Sequence, residues 1–213
     1  MFQYPIKAAA QLAEAGKHAK THPSVAPLIR RALDQGDVTA FMLNNGVLLL
    51  PGSNSLGDYI LFNLRVFKIG GKRYRLEDSA TATGHSGAIW HQGFLTYSKA
   101  IFDHFADIPP KFIIGHSLGA AAAQILAKSW GVPAIGFAAP RPRWGATRLR
   151  NEQLSLSILR SDDLVTTLPG GFRHLGTAKN LKPRSNNAGL DHQMRHYRRI
   201  VDEHAGNLPE QWP

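Results

Sequence analysis

Ser117 stands between two glycines in Gly115-His116-Ser117-Leu118-Gly119. A serine hydroxyl is a weak nucleophile unless it is exposed beside a base, and a sharp strand-to-helix turn provides that exposure. The neighbouring residues fit such a turn. Lys111-Phe112-Ile113-Ile114 has the pattern of a short apolar strand, and Ala120 to Ser129 that of an alanine-rich helix. At so tight a turn, side chains at the flanking positions would clash with the adjoining elements, which is a reason for glycine there. The chemistry this arrangement serves is acyl transfer through Ser117, and it needs a base, an orienting carboxylate and hydrogen-bond donors for an oxyanion.

In a strand–turn–helix elbow the partners follow in the order serine, acid, histidine. Arg160-Ser161-Asp162-Asp163-Leu164-Val165 comes after the apolar run Leu154 to Leu159, so it places a carboxylate beyond the carboxyl end of a strand, where such sheets gather their chemistry. Asp163 is the expected acid and Asp162 its alternative. Gly189-Leu190-Asp191-His192 leads into the last helical segment, and His192 is the expected base. His196, one helical turn later, competes with it. His116 should point away from the substrate side when Ser117 points towards it, in a supporting place, while His91 and His174 read as hydrogen-bonding loop residues. Gly84-His85-Ser86-Gly87 imitates the elbow, but polar residues precede it and its second glycine comes one place early. For the oxyanion, the Leu118 amide comes with the elbow. A second donor is expected from Pro51-Gly52-Ser53-Asn54-Ser55, where Ser53 could offer both amide and hydroxyl, each such donor being worth roughly 3 to 4 kcal/mol in a transition state.

These residues must be carried by a sheet. Ile6 to Ala19 and Val25 to Leu33 place apolar residues at intervals of three and four and read as helices, broken at Thr21-His22-Pro23-Ser24. Val38 to Leu43 and Val47 to Leu50 are strands joined by Asn44-Asn45-Gly46, and Gly70-Gly71 joins a second hairpin, Arg65 to Ile69 with Lys72 to Arg75. From there helices and strands alternate: a helix over Leu95 to Phe105, strands at Phe112 to Ile114, Ala134 to Phe137 and Leu154 to Leu159, and a closing helix over Met194 to Glu203. Alternation of this kind predicts an α/β fold with a mostly parallel central sheet and helices on both faces. The expected organisation is one domain over 1–213, with 1–37 a helical extension packed upon it.

The 213 residues suffice for one such core, and 43% hydrophobic residues with no low-complexity tract describe a globular chain. Apolar runs are far shorter than a membrane span and the first twenty residues carry scattered charges, so a cytoplasmic location is the default. With no cysteine, thiol catalysis and Cys-based metal sites are excluded. The net charge of +10 gathers late, in Arg141, Arg143, Arg148, Arg150, Lys179, Lys182, Arg184, Arg195, Arg198 and Arg199. Such a face could dock on an anionic lipid surface or serve only solubility. No nucleic-acid module pattern accompanies it, so nucleic acid is not an expected partner.

Several segments together resemble the class 3 lipases. Gly52-Ser53-Asn54-Ser55-Leu56-Gly57-Asp58-Tyr59 is similar to that family's Gly-Thr/Ser-x-Ser-x-x-Asp-Trp, His91-Gln92-Gly93-Phe94 to its His-x-Gly-Phe, and Phe137-Ala138-Ala139-Pro140-Arg141 to its Phe-Gly-x-Pro-Arg. Asp163-Leu164-Val165 with Leu168-Pro169 looks like its acid segment, and Asp191-His192 with Met194 and Tyr197 like its terminal histidine motif. The resemblance covers roughly residues 47 to 200. It implies an α/β-hydrolase fold, a triad of Ser117, Asp163 and His192, an oxyanion hole of Ser53 and Leu118, and Asp58 bracing the Ser53 loop. It also implies a lipid or small acyl ester as substrate, with neither metal nor cofactor required. A thioesterase, phospholipase, acyltransferase or peptidase could use the same residues, and a retired hydrolase fold could bind anions through its basic face. Tyr59 replaces the usual tryptophan and Thr166 a common proline. The lid candidate, Leu56, Tyr59, Ile60, Leu61, Phe62 and Leu64, reads equally as core packing.

Overall fold

Seven strands lie side by side in chain order: β1 (Ile29–Gln35), β2 (Val38–Leu43), β3 (Val47–Leu50), β4 (Phe112–His116), β5 (Ala134–Phe137), β6 (Ser155–Arg160) and β7 (Thr177–Leu181). The β1–β2 and β2–β3 pairings are antiparallel, and from β3 to β7 every pairing is parallel. Parallel neighbours need crossovers. Two of these are α2 (Gln92–His104) between β3 and β4 and α3 (Leu118–Trp130) between β4 and β5, while α1 (Ile6–Ala15) precedes β1 and α4 (Met194–Glu203) follows β7. The computed structural model describes residues 2–52, 66–185 and 191–213. Ser53, Asp58 and the lid candidate over 56–64 lie outside the described residues.

Strand alternation decides which helix covers which face. Leu48, Leu50 and Ile113 point into one apolar layer with Phe94, Tyr97 and Ile101 of α2 and the alanines of α3. Val47, Leu49, Phe112 and Ile114 point the other way, into a layer with Ala9 and Ala13 of α1 and Tyr197, Ile200 and Val201 of α4. Phe112, Ile113 and Ile114 are wholly buried, and side chains of that kind each contribute roughly 1.5 to 3 kcal/mol on leaving water. α3 is buried along its length from Leu118 to Ala127, so it carries no solvent face there and is built of alanine, the best helix former. It ends at Gly131, whose φ of 69° is the left-handed conformation that closes helices.

The expected mostly parallel sheet with helices on both faces is the observed one. One helix expected from the sequence is not there. Val25 to Leu33 holds a single short turn at Ala26–Leu28 and then β1, the antiparallel edge of the sheet, so 1–37 is not wholly a helical extension. Pro27 removes an amide inside the supposed helix, and after a bulge between Ile29 and Arg31 the strand pairs β2 residue for residue, with Leu33 opposite Ala40 in the apolar layer under α2. β7 was not foreseen, because Thr177-Ala178-Lys179-Asn180-Leu181 is an exposed edge without apolar alternation. Among the described residues no helix is long and apolar enough to cross a membrane.

Candidate active site

The chain turns from β4 into α3 at Ser117, whose φ of 54° and ψ of −121° place it outside the regions ordinary residues favour. Such strain persists only where surroundings enforce it. Here they do so by proximity. A Cβ on Gly115 would stand 2.5 Å from the carbonyl oxygen of Gly119, and one on Gly119 only 2.2 Å from that of Leu50. Gly136 on β5 lets Ala120 approach in the same way, with 3.1 Å between a Cβ there and the Ala120 methyl. Backbone of β3, β4 and α3 thus meets with no room for side chains, and the serine is pushed out at the carboxyl edge of the sheet.

His192 Nε2 lies 2.6 Å from Ser117 Oγ, and His192 Nδ1 lies 2.8 Å from Asp163 Oδ2. A carboxylate only accepts, so the ring proton sits on Nδ1 and Nε2 is left to accept from the serine hydroxyl. All three residues are nearly excluded from water. Asp163 also accepts from the Tyr197 hydroxyl at 2.7 Å and, through Oδ1, from the Val165 amide at 3.0 Å. Burial alone would raise its carboxyl. Attraction to His192 and the hydrogen bonds from His192, Tyr197 and Val165 together outweigh burial and hold it below the ordinary carboxylate range. Tyr197, raised well above the ordinary phenol value by burial and then by the Asp163 charge, keeps its proton to donate.

The alternatives left by the sequence lie apart from the line of Asp163, His192 and Ser117. Asp162 faces the Arg160 guanidinium at 2.9 Å, not the imidazole. His196 Nδ1 lies 3.3 Å from Asp191 on the flank of α4. His116 lies against the His192 segment. Its Nε2 lies 2.9 Å from the His192 carbonyl, and burial, with the His192 charge next, lowers it to about 3. It is therefore neutral, and since a carbonyl only accepts, Nε2–H is the donor. His91 caps α2 by accepting from the Phe94 amide at 3.2 Å, and His174 meets the Thr166 carbonyl at 3.1 Å. Both form hydrogen bonds as expected, but His91 does so from the end of a short strand, Ile89–His91, rather than from a loop. Gly84 to Gly87 is a turn closed from the Gly84 amide to the Ala88 carbonyl, not an elbow.

Leu118 is the first residue of α3, so its amide has no intrahelical acceptor and points with the positive end of the helix dipole towards the Ser117 side. Ser53 and Asp58 fall outside the described residues. The described chain stops at Gly52, where a Cβ would stand 2.9 Å from His116 Nδ1 and 3.1 Å from the Ser117 Cβ, so Gly52 itself lies against the serine. Tyr197 and Gly52 were quoted only as motif letters. The signal for Tyr197 lies in its spacing, five residues after His192 and on the inward face of α4 with Ile200 and Val201. Among the described residues, no group of three or more histidine, aspartate or glutamate side chains could hold a metal ion.

No protein-family model matches the chain, and no curated protein matches it in sequence. Solved structures do match its fold. It is similar to the Rhizomucor miehei lipase in its propeptide complex, at 16% identity and a TM-score of 0.56, over 91% of this chain and 74% of that one. It is also similar to lipase II from Rhizopus niveus, at 18% identity and a TM-score of 0.54, over 86% of this chain and 80% of that one. The fold is that of the fungal lipases, an α/β-hydrolase fold with a mostly parallel sheet.

Proposed function

We propose that this chain is a serine carboxylester hydrolase acting on lipid or small acyl esters. The observation that carries the reading is the hydrogen-bonded line from Asp163 through His192 to Ser117 Oγ, at 2.8 and 2.6 Å, with the serine on a strained elbow at the edge of the sheet. The fungal-lipase fold supports the ester as substrate class. In this reading Ser117 Oγ adds to the ester carbonyl carbon while its proton passes to His192 Nε2. The carbonyl electrons move onto oxygen, where the Leu118 amide, and Ser53 by the resemblance, stabilise the charge. Collapse expels the alcohol, which takes the proton from His192. Water then repeats the sequence on the acyl-enzyme and releases the acid. Asp163 holds the imidazole in the tautomer that receives the proton and stabilises the imidazolium.

Hydrolysis of p-nitrophenyl esters from two to sixteen carbons, by the wild type and by Ser117→Ala, tests this. The expected result is turnover lost by roughly 10⁴-fold or more in the variant, with the optimum chain length separating a lipase from a short-chain esterase. No turnover by the folded wild type, or equal turnover by both proteins, overturns it. Product analysis with a thioester or an added alcohol acceptor distinguishes thioesterase and acyltransferase activity on the same serine.

A further inference from the structure

β6 sends Leu156 and Ile158 into the apolar layer beneath α1 and α4, and strand alternation brings Arg160 to the same inward side at its end. A guanidinium there must find carboxylates, because an unpaired buried charge is far costlier than a paired one. It finds two. Arg160 Nε and Nη2 fork onto the two oxygens of Asp162 at 3.1 and 2.9 Å, Nη2 also meets Asp191 Oδ2, and Nη1 donates to the His196 carbonyl at 3.3 Å. The side chains of Arg160, Asp162 and Asp191 are only 2%, 2% and 3% exposed.

What these contacts tie together is specific. Asp162 immediately precedes Asp163, and Asp191 immediately precedes His192. The Arg160 carbonyl accepts from the Asp163 amide at 3.2 Å, and the Arg160 amide donates at 3.3 Å to the Tyr197 hydroxyl, which itself donates to Asp163. One residue therefore grips the acid loop, the histidine loop and the first turns of α4. We propose that Arg160 is the positioning residue that fixes the spacing between Asp163 and His192, holding the imidazole where it can reach Ser117. The proposal rests on reading Asp163, His192 and Ser117 as one proton relay. Arg160 touches none of the reacting atoms and acts through its neighbours. Lysine cannot replace it, since a single ammonium cannot fork onto Asp162 while also reaching Asp191.

The test uses the full chain and two variants. Arg160→Lys keeps the charge and loses the fork. Arg160→Met with Asp162→Asn and Asp191→Asn removes the charges together, so that no buried carboxylate is stranded if the single variant fails to fold. Folding is checked by circular dichroism and thermal melting. The readouts are ester kcat and KM and the downfield proton resonance of the His192–Asp163 hydrogen bond, assigned by its loss in Asp163→Asn. The expected result in a folded variant is a kcat lower by roughly 10²-fold, as for a misplaced catalytic group, with KM little changed and the resonance lost or broadened. A folded variant with wild-type kcat, or with reduced kcat and an unaltered resonance, overturns the proposal. So does failure of both variants to fold, which makes the cluster a folding determinant only. If the wild type hydrolyses no ester, the proposed function fails, and the resonance still decides whether Arg160 sets the spacing.

Discussion

The two halves of the candidate site are held by opposite means. On the serine side, position comes from missing side chains: Gly115, Gly119 and Gly136 let backbone meet backbone, and the neighbouring His116 is kept neutral by burial. On the acid–histidine side it comes from buried polar groups, with Asp163 held by His192, Tyr197 and Val165, and Arg160 clamped between Asp162 and Asp191. The steric half tolerates no added atom, and the polar half no removed one. Substitutions in the two halves should therefore fail in different ways.

The largest expected effect lies in the polar half. Asp163→Asn preserves shape but favours the wrong imidazole tautomer, and kcat on a p-nitrophenyl ester should fall by about 10⁴-fold, with a lower melting temperature as well because Tyr197 and Val165 lose their charged acceptor. A loss below tenfold would remove Asp163 from the relay. Next comes the steric half. Gly119→Ala should gain about 1 kcal/mol from helix propensity, yet the 2.2 Å approach to the Leu50 carbonyl must be relieved by backbone movement. A net loss of at least ~3 kcal/mol is expected by urea denaturation, and a stabilised protein would show that the elbow is not sterically closed.

That contrast also explains how much was legible in the sequence. The elbow is local: five consecutive residues between a strand and a helix state the constraint, and Ser117, Leu118 and the strand ends at β3, β4 and β5 followed from it. The order of acid and histidine was legible as well, because it depends on topology. Asp163 was the expected acid and it is the one that meets the imidazole, but Asp162 stayed an alternative because adjacent residues at the end of β6 differ only in which way they point. Arg160 went unremarked for its position although its sign was present, a cation at the inward register after Leu156 and Ile158. β1 was misread because Val25 to Leu33 satisfies helical spacing over nine residues, too few to expose the competing strand period, and only pairing with β2 settles it.

Acid stability separates the halves further. His116 on the elbow is lowered to about 3, and His91 and His174 to about 4, chiefly by burial. Unfolded histidines titrate near ~6.5, so between that pH and the folded values the unfolded chain takes up protons that the native chain refuses. Stability is then complete above ~6.5 and declines as pH falls, by up to ~1.4 kcal/mol per pH unit for each histidine. The depressed Asp163 carboxyl behaves otherwise, its contribution being lost only below the ordinary carboxylate range. Urea midpoints at pH 7.5 and 5 should differ, and less so in His116→Gln. Equal midpoints would mean that the buried imidazoles protonate without cost.

Tyr197→Phe removes one charge-assisted hydrogen bond to Asp163 and should cost about 1.5 to 3 kcal/mol of stability. Unchanged stability would show that Val165 and His192 satisfy the carboxylate alone. The smallest effect belongs to Ala138, which adopts a φ of 57° where a left-handed residue costs ~1 to 2 kcal/mol. Ala138→Gly relieves that strain, less the flexibility glycine adds to the unfolded chain, for a gain of up to ~1 kcal/mol. A lower melting temperature would mean that the buried methyl contributes more through packing than the backbone loses through strain.

The central claim is that His192, held by Asp163, activates Ser117. Intact mass after treatment with a fluorophosphonate, which captures only an activated serine, tests it on wild type, Ser117→Ala and His192→Ala. The account predicts one adduct, on Ser117, in the wild type, none in Ser117→Ala, and labelling slowed by orders of magnitude in His192→Ala. An unlabelled wild type, or His192→Ala labelling at the wild-type rate, would contradict it.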